Sequence, residues 1–204
     1  IEQLRKNQHL LNDKQKIGLK YYDSLMLKIP RTEMDKHNSF LQKLMKSIDS
    51  KATLTTVGSY RRLVKSSGDI DVLLTHKQDK DIFKPFVDNL LKTNYVKDVL
   101  SYGNKKCSAV VEVIKGKSRR LDILFTKKSE YPFALFYFTG SGTFNQVIRK
   151  KANDLGYKLN EYGIKKIESN NYISNIKNEQ DIFKMLKGKY LEPQDRYTGN
   201  IVNL

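Results

Sequence analysis

The stretch that most constrains this chain is Ser66-Ser67-Gly68-Asp69-Ile70-Asp71-Val72-Leu73-Leu74. Its second half is β-branched and apolar, which predicts a strand over 69–75, and strand side chains alternate between two faces. Alternation sets Asp69 and Asp71 on one face and Ile70 and Val72 on the other. The apolar face must pack on a core, so the acids are carried by a rigid element at the core's edge. Alone, an Asp-x-Asp on a half-exposed strand is more often a solvated face than a cation site.

The neighbouring sequence shifts that balance. Gly58-Ser59-Tyr60-Arg61-Arg62 falls where a predicted strand over 53–57 ends and a helix begins, and backbone N–H groups with basic side chains at such a junction favour an anion. A third acid, Asp122, sits in Arg119-Arg120-Leu121-Asp122-Ile123-Leu124, within a strand predicted over 120–125. If the two acidic strands are neighbours, three carboxylates converge beside a phosphate cradle. Such a site suits two Mg2+ ions about 3.5 to 4 Å apart, one activating a hydroxyl and the other neutralising a triphosphate and its leaving group. The chemistry implied is nucleotidyl transfer.

Around these segments the pattern is α+β with a mixed or antiparallel sheet. Ile17, Tyr21, Tyr22, Leu25, Met26 and Ile29 recur at helical spacing up to Pro30, which ends that helix. Met34, Leu41, Leu44, Met45 and Ile48 predict a second helix, and Ile82 to Leu91 the most amphipathic one. Short links among strands predicted over 96–100, 109–114 and 120–125 favour antiparallel pairing. A further helix over 144–155 stops at Gly156, a loop holds Asn170, Asn171, Asn175 and Asn178, and a short helix spans 181–186.

The 204 residues suffice for one large domain or two small ones stabilised by core packing alone. Thirty-eight basic residues face 22 acids for a net charge of +16. The excess is spread along the chain, at +4 over 1–50, +7 over 51–126 and +5 over 127–204. That distribution fits a surface tracking a phosphate backbone, or simply a lysine-rich solvated surface. Cys107 is the lone cysteine, and the histidines are His9, His37 and His76, so a Cys/His zinc cluster and a disulfide framework are excluded and a reducing compartment fits. No apolar run reaches membrane-spanning length and no secretory leader opens the chain. Its start at Ile1 leads us to expect a fragment of something longer.

The segment GSYRRLVKSSGDIDVLL (58–74) resembles the nucleotidyltransferase signature of the family X DNA polymerases, the DNA polymerase beta-like enzymes. Four other stretches agree in order: QKIGLKYYDSLMLKIPRTEM (15–34), RRLDILF (119–125), ALFYFTGSGTFNQVIRKKANDLGYKLNEYGI (134–164) and DIFKMLKGKYLEPQDR (181–196). Many nucleotidyltransferases share the first signature; the YFTGS and NEYG stretches together are far more specific. The resemblance implies the end of helical DNA-binding fingers over 1–38, a catalytic palm over 39–137 and a small nucleotide-selecting thumb over 138–204. It makes Asp69, Asp71 and Asp122 metal ligands, with Asp122 near a primer 3′-OH as local base. Ser59, Arg62, Ser67 and Gly68 match triphosphate contacts, and Arg31 a further basic residue near the phosphates. Tyr137, Phe138, Thr139 and Gly140 match the turn that disfavours a ribose 2′-OH, while Phe133 and Phe136 are expected in the core. Asn145 and Arg149 match residues probing the minor groove of the nascent pair and the template, and Tyr162 and Arg120 further contacts toward DNA.

The implied activity is templated addition of dNTPs to a primer 3′ end by a Mg2+-dependent monomer, with Mn2+ able to substitute, acting on primer-template or gapped DNA in base excision repair. A cellular source implies a nuclear enzyme; a viral or bacterial source is the other case. The alternatives are a template-independent terminal nucleotidyltransferase and an inactive DNA-binding scaffold. The family's lyase domain and most of its helix-hairpin-helix are missing from this sequence, so deoxyribose-phosphate processing is not expected. Gly142 and Leu124 replace an acid over the base and an arginine that restrains a catalytic aspartate. The short connection around Gly116 favours a templated enzyme, since template-independent relatives have a longer loop there.

Overall fold

The computed structural model describes residues 1–197. The chain enters through three short helices, α1 (Glu2–Lys6), α2 (Asp13–Lys20) and α3 (Tyr22–Leu25). A capping box between Asn12 and Gln15 starts α2. The helix expected from 17 to 29 is therefore broken. Ile29 and Pro30 form strand β1 (Ile29–Pro30), paired antiparallel with Ser66–Ser67, because the residue before proline prefers extended backbone. Pro30 also opens the next helix, α4 (Arg31–Ile48), with φ −59°, so it starts one element as well as ending another.

Beyond α4 come β2 (Ala52–Thr56), α5 (Gly58–Arg61), β3 (Ser66–Ser67), β4 (Ile70–His76), α6 (Phe83–Leu91), β5 (Val96–Tyr102), β6 (Lys106–Val111) and β7 (Arg119–Phe125). Five strands make one mixed sheet in the order β2-β4-β7-β6-β5. The β5–β6 and β6–β7 pairs are antiparallel, as their short links require, while β4 and β7 run parallel. One sheet face buries Ile70, Val72, Leu121 and Ile123 against Met34, Leu41 and Met45 of α4 and Phe83, Phe86 and Leu90 of α6. Val57 and Leu73 on the other face meet Ala134 of α7 (Tyr131–Thr139).

Helix α7 had no amphipathic signature because it is apolar all round. Ala134 faces the sheet, while Phe133 and Phe136 enter a second core with α8 (Gly142–Asp154), the hairpin of β8 (Tyr157–Asn160) and β9 (Gly163–Lys166), and α9 (Glu179–Met185). Phe133 and Phe136 are thus core residues as expected. Gly156, just past α8, has φ +79°, a conformation that suits glycine. Asn178 is no mere loop residue: its side chain caps α9 in a reciprocal box with Asp181. No helix among the described residues is long and apolar enough to cross a membrane.

A buried ionic cluster joins the two cores. Arg61 of α5 donates to both Glu179 oxygens at 3.1 and 2.6 Å and to the Thr139 hydroxyl at 2.6 Å. Arg196, fully buried, donates to Glu179 at 2.7 Å and to the Leu191 carbonyl at 3.1 Å. Its guanidinium lies 5.2 to 5.8 Å from the ring centres of Phe136, Phe144, Phe183 and Tyr190. Burial raises the Glu179 carboxyl, and the two arginines more than reverse that, holding it below its ordinary range. Breaking such a pair strands a buried charge, so Glu179→Ala should lower stability by about 3 to 5 kcal/mol. Urea unfolding checks this; an unchanged midpoint would show that the junction rests on apolar packing alone.

Candidate active site

Parallel pairing of β4 with β7 sets Asp71 directly opposite Asp122. Asp69 does not lie in the strand as expected. The β1–β3 pairing ends at Ser67, and Gly68 and Asp69 bend into β4, which begins at Ile70. The three side chains still meet: one carboxylate oxygen from each of Asp69, Asp71 and Asp122 lies within 4.8 Å of the others. Asp122 is buried and held from two sides. Ser108 of β6, opposite it in register, donates a hydroxyl hydrogen bond to Oδ1, and Arg120 donates from Nε to Oδ2 at 3.2 Å.

Burial raises the Asp71 carboxyl to about 7, the charges of Asp69 and Asp122 push the same way, and Arg120 and Lys106 oppose them. Burial, followed by Asp122, also raises Asp69. Gathered carboxylates with uncompensated charge are what a hard divalent cation relieves, and the donor set is all oxygen, which suits such ions. These residues fit a metal site. Leu124, in place of an arginine, packs with Val57, Leu73 and Ala134, so that position offers Asp71 no counter-charge.

The loop preceding β4 is shaped around Asp71. Gly58 has φ +59°, and a Cβ there would stand 2.6 Å from Asp71 Oδ2 and displace that carboxylate, so the position favours glycine. The Ser59 and Ser67 hydroxyls are 2.8 Å apart. Arg62 of the same loop donates to the Thr139 carbonyl at 2.5 Å, and a Cβ on Gly140 (φ +67°) would stand 3.1 Å from its Nη1. Burial lowers the Arg62 pKa, and Asp71 opposes the change. Asn145 of α8 donates to the Tyr137 carbonyl at 2.8 Å. Ser59, Ser67 and Gly68 are therefore gathered beside the acids, and Arg62 ties that loop to the turn of Tyr137, Phe138, Gly140 and Asn145.

Tyr137, Phe138 and Tyr162 line a cleft of about 340 Å3 with Lys106 and Leu124. Tyr162 sits exposed in the β8–β9 turn. Arg149 is exposed on α8, one turn beyond Asn145. Arg31, at the start of α4, reaches the Gly58–Arg61 helix. Its Nη1 donates to the Tyr60 carbonyl at 3.0 Å and its guanidinium lies 4.5 Å from the Tyr60 ring centre. Lys28 also stands beside this loop: its Nζ would be 3.8 Å from a Cβ on Gly68, and its charge lowers Asp69. Sequence reasoning missed Lys28, Lys106 and Ser108. Ser108 was within reach, since starting the predicted strand of 109–114 slightly earlier sets it opposite Asp122.

The sequence profile of the DNA polymerase beta palm matches residues 28–128, and that of the DNA polymerase beta thumb matches residues 134–197. A DNA polymerase lambda of Rattus norvegicus is 31% identical over 205 residues, covering 91% of this chain and 36% of that protein. A DNA polymerase lambda of Arabidopsis thaliana is 27% identical over 214 residues, covering 94% of this chain and 40% of its own length. A DNA nucleotidylexotransferase of Xenopus laevis is 26% identical over 239 residues, covering 96% of this chain and 46% of its own length. The chain thus spans less than half the length of these curated relatives.

The raised Asp71 carboxyl has a consequence for stability. The folded chain keeps a proton that the unfolded chain gives up near its ordinary value, so this contribution is complete below about pH 4 and is lost as pH rises through about 7. In chelator, urea unfolding of the parent should weaken between about pH 5 and about pH 8, and Asp71→Asn should flatten that decline. Parallel profiles for the two proteins would refute the electrostatic account of the cluster.

Proposed function

The chain belongs to the family X DNA polymerases, and from that premise we propose that it is a DNA-directed DNA polymerase adding dNTPs to a primer 3′-OH in short repair gaps. The observation that carries this reading is the meeting of Asp69, Asp71 and Asp122 beside the Gly58–Arg61 helix and the Ser67-Gly68 turn. Asp69, Asp71 and Asp122 would hold two Mg2+ ions, for which Mn2+ can substitute. Bound there, the metal supplies Lewis-acid activation of the 3′-hydroxyl and neutralises the triphosphate and departing pyrophosphate.

The remaining steps belong to the side chains. Asp122 Oδ2 accepts the primer 3′-OH proton once the half-exposed Arg120 turns from it toward the DNA backbone. The Ser59 and Ser67 hydroxyls, the Gly68 N–H, Arg62 and Lys28 bind the triphosphate oxygens, with Arg31 supporting the loop through Tyr60. The Tyr137, Phe138 and Gly140 turn presses on the incoming sugar and excludes a ribose 2′-OH. Asn145, Arg149 and Tyr162 meet the nascent pair and template. Residues 1–38 act as the end of the fingers, 39–137 as the palm and 138–204 as the thumb, of which 198–204 lie outside the described residues, in a nuclear, monomeric enzyme if the source is a nucleated cell.

A template requirement is supported by the β6–β7 connection. The Glu112 carboxylate accepts hydrogen bonds from the Gly116 N–H at 3.2 Å and the Ser118 hydroxyl at 2.6 Å, and the Ser118 N–H donates to the Ser24 hydroxyl at 2.9 Å. The connection is short and folded on itself, which supports the templated reading. Incorporation should therefore occur on a one-nucleotide gap and be absent on a lone single strand; extension of the single strand would favour terminal transfer instead.

Asp122→Ala should reduce gap incorporation by at least about three orders of magnitude, the scale of losing a few kcal/mol of transition-state stabilisation. DNA affinity should be largely retained, and retained incorporation would defeat the assignment. Because many Lys and Arg meet phosphates, log affinity should fall with log salt at a slope of about −0.9 per phosphate neutralised.

A further inference from the structure

Arg119 opens β7 three residues before Asp122, and strand alternation turns its side chain to the face opposite the acids. It is buried, and its guanidinium meets four oxygens. Nε and Nη2 donate to the two Glu33 oxygens at 2.6 and 3.1 Å, and Nη1 donates to the Ser24 and Leu27 carbonyls at 3.2 and 3.4 Å. Glu33 lies in the first turn of α4, and Leu27 immediately precedes Lys28. Beyond Glu33 the chain of contacts continues: His37 Nε2 lies 3.7 Å from Glu33 Oε1, and His37 Nδ1 lies 2.7 Å from the Tyr95 hydroxyl. Burial keeps Tyr95 protonated.

Residues 26–28 are exposed and precede the first β1–β3 partner, Ile29 opposite Ser67. The Arg119 bond to the Leu27 carbonyl is thus the hold next to Lys28 on its N-terminal side, and β1 is the hold on the other. We propose that Arg119 is a positioning residue for nucleotide binding: it ties the strand bearing Asp122 to the 24–27 segment and so fixes Lys28 over Gly68. The inference rests on the polymerase reading of the site. A lysine at 119 keeps the charge, but its single ammonium cannot span a carboxylate and two carbonyls as the planar fork does.

The test is a double-mutant cycle of Arg119→Lys and Lys28→Met in steady-state incorporation on a one-nucleotide gap. Arg119→Lys should raise KM for the dNTP about tenfold, equivalent to about 1.4 kcal/mol of binding, with kcat within about twofold. In the Lys28→Met background it should add almost nothing, because both changes remove the same contact. Additive effects, or a loss confined to kcat, would overturn the proposal. If Arg119→Lys does not fold, Glu33→Gln disrupts the same hold and completes the cycle. A second readout needs no turnover: the amide resonances of Lys28 and Gly68 should shift in Arg119→Lys while Gly163 stays, and unmoved Lys28 and Gly68 resonances would also overturn it. A wild-type protein that incorporates nothing would sink the polymerase reading, and the resonance comparison would still decide whether Arg119 positions Lys28.

Discussion

Side-by-side parallel strands are the constraint on which the rest depends. The β4–β7 pairing sets Asp71 opposite Asp122 and tolerates no one-residue slip, which would turn one of them to the apolar face. That register is secured by Ile70, Val72, Leu121 and Ile123, all fully buried on the face opposite the acids. The core is what holds mutually repelling charges together. A parallel neighbour also needs a long crossover, and the chain between β4 and β7 supplies it through α6 and the β5–β6 hairpin.

The arginines do separate jobs around this fixed point. Arg61 and Arg62 are neighbours on one loop, yet Arg61 reaches Glu179 and the Thr139 side chain while Arg62 reaches the Thr139 carbonyl. The loop beside the acids is thereby joined to the turn ending α7 and to the second core. Arg120 balances Asp122 from the solvent side, and Arg119 grips α4 and the 24–27 segment from the buried side. Successive residues of β7 therefore link the acid site to opposite faces of the sheet.

Much of this was legible in the sequence where one face of an element is apolar and the other polar, as in α4 and α6. The helix of Tyr131–Thr139 was not, because it is sandwiched between two cores and carries no stripe. The β8–β9 hairpin was missed because its strands are four residues long and rich in lysine. At the site, the three acids and the Gly58–Arg61 turn followed from composition and spacing, with the resemblance supplying most other roles. The place of Lys28 beside Gly68 could not be read that way, since it rests on the β1–β3 pairing that brings two distant segments together. Asp69 stepping out of the strand depended likewise on the β1–β3 contact, which no local pattern announces.

The most direct measurement is anomalous scattering from Mn2+ in crystals of the protein with gapped DNA and a non-hydrolysable dNTP. The account predicts manganese peaks about 2.0 to 2.6 Å from oxygens of Asp69, Asp71 and Asp122, with all three acids engaged at once. Manganese bound away from these carboxylates, or Asp122 left out while the nucleotide is in place, would contradict it.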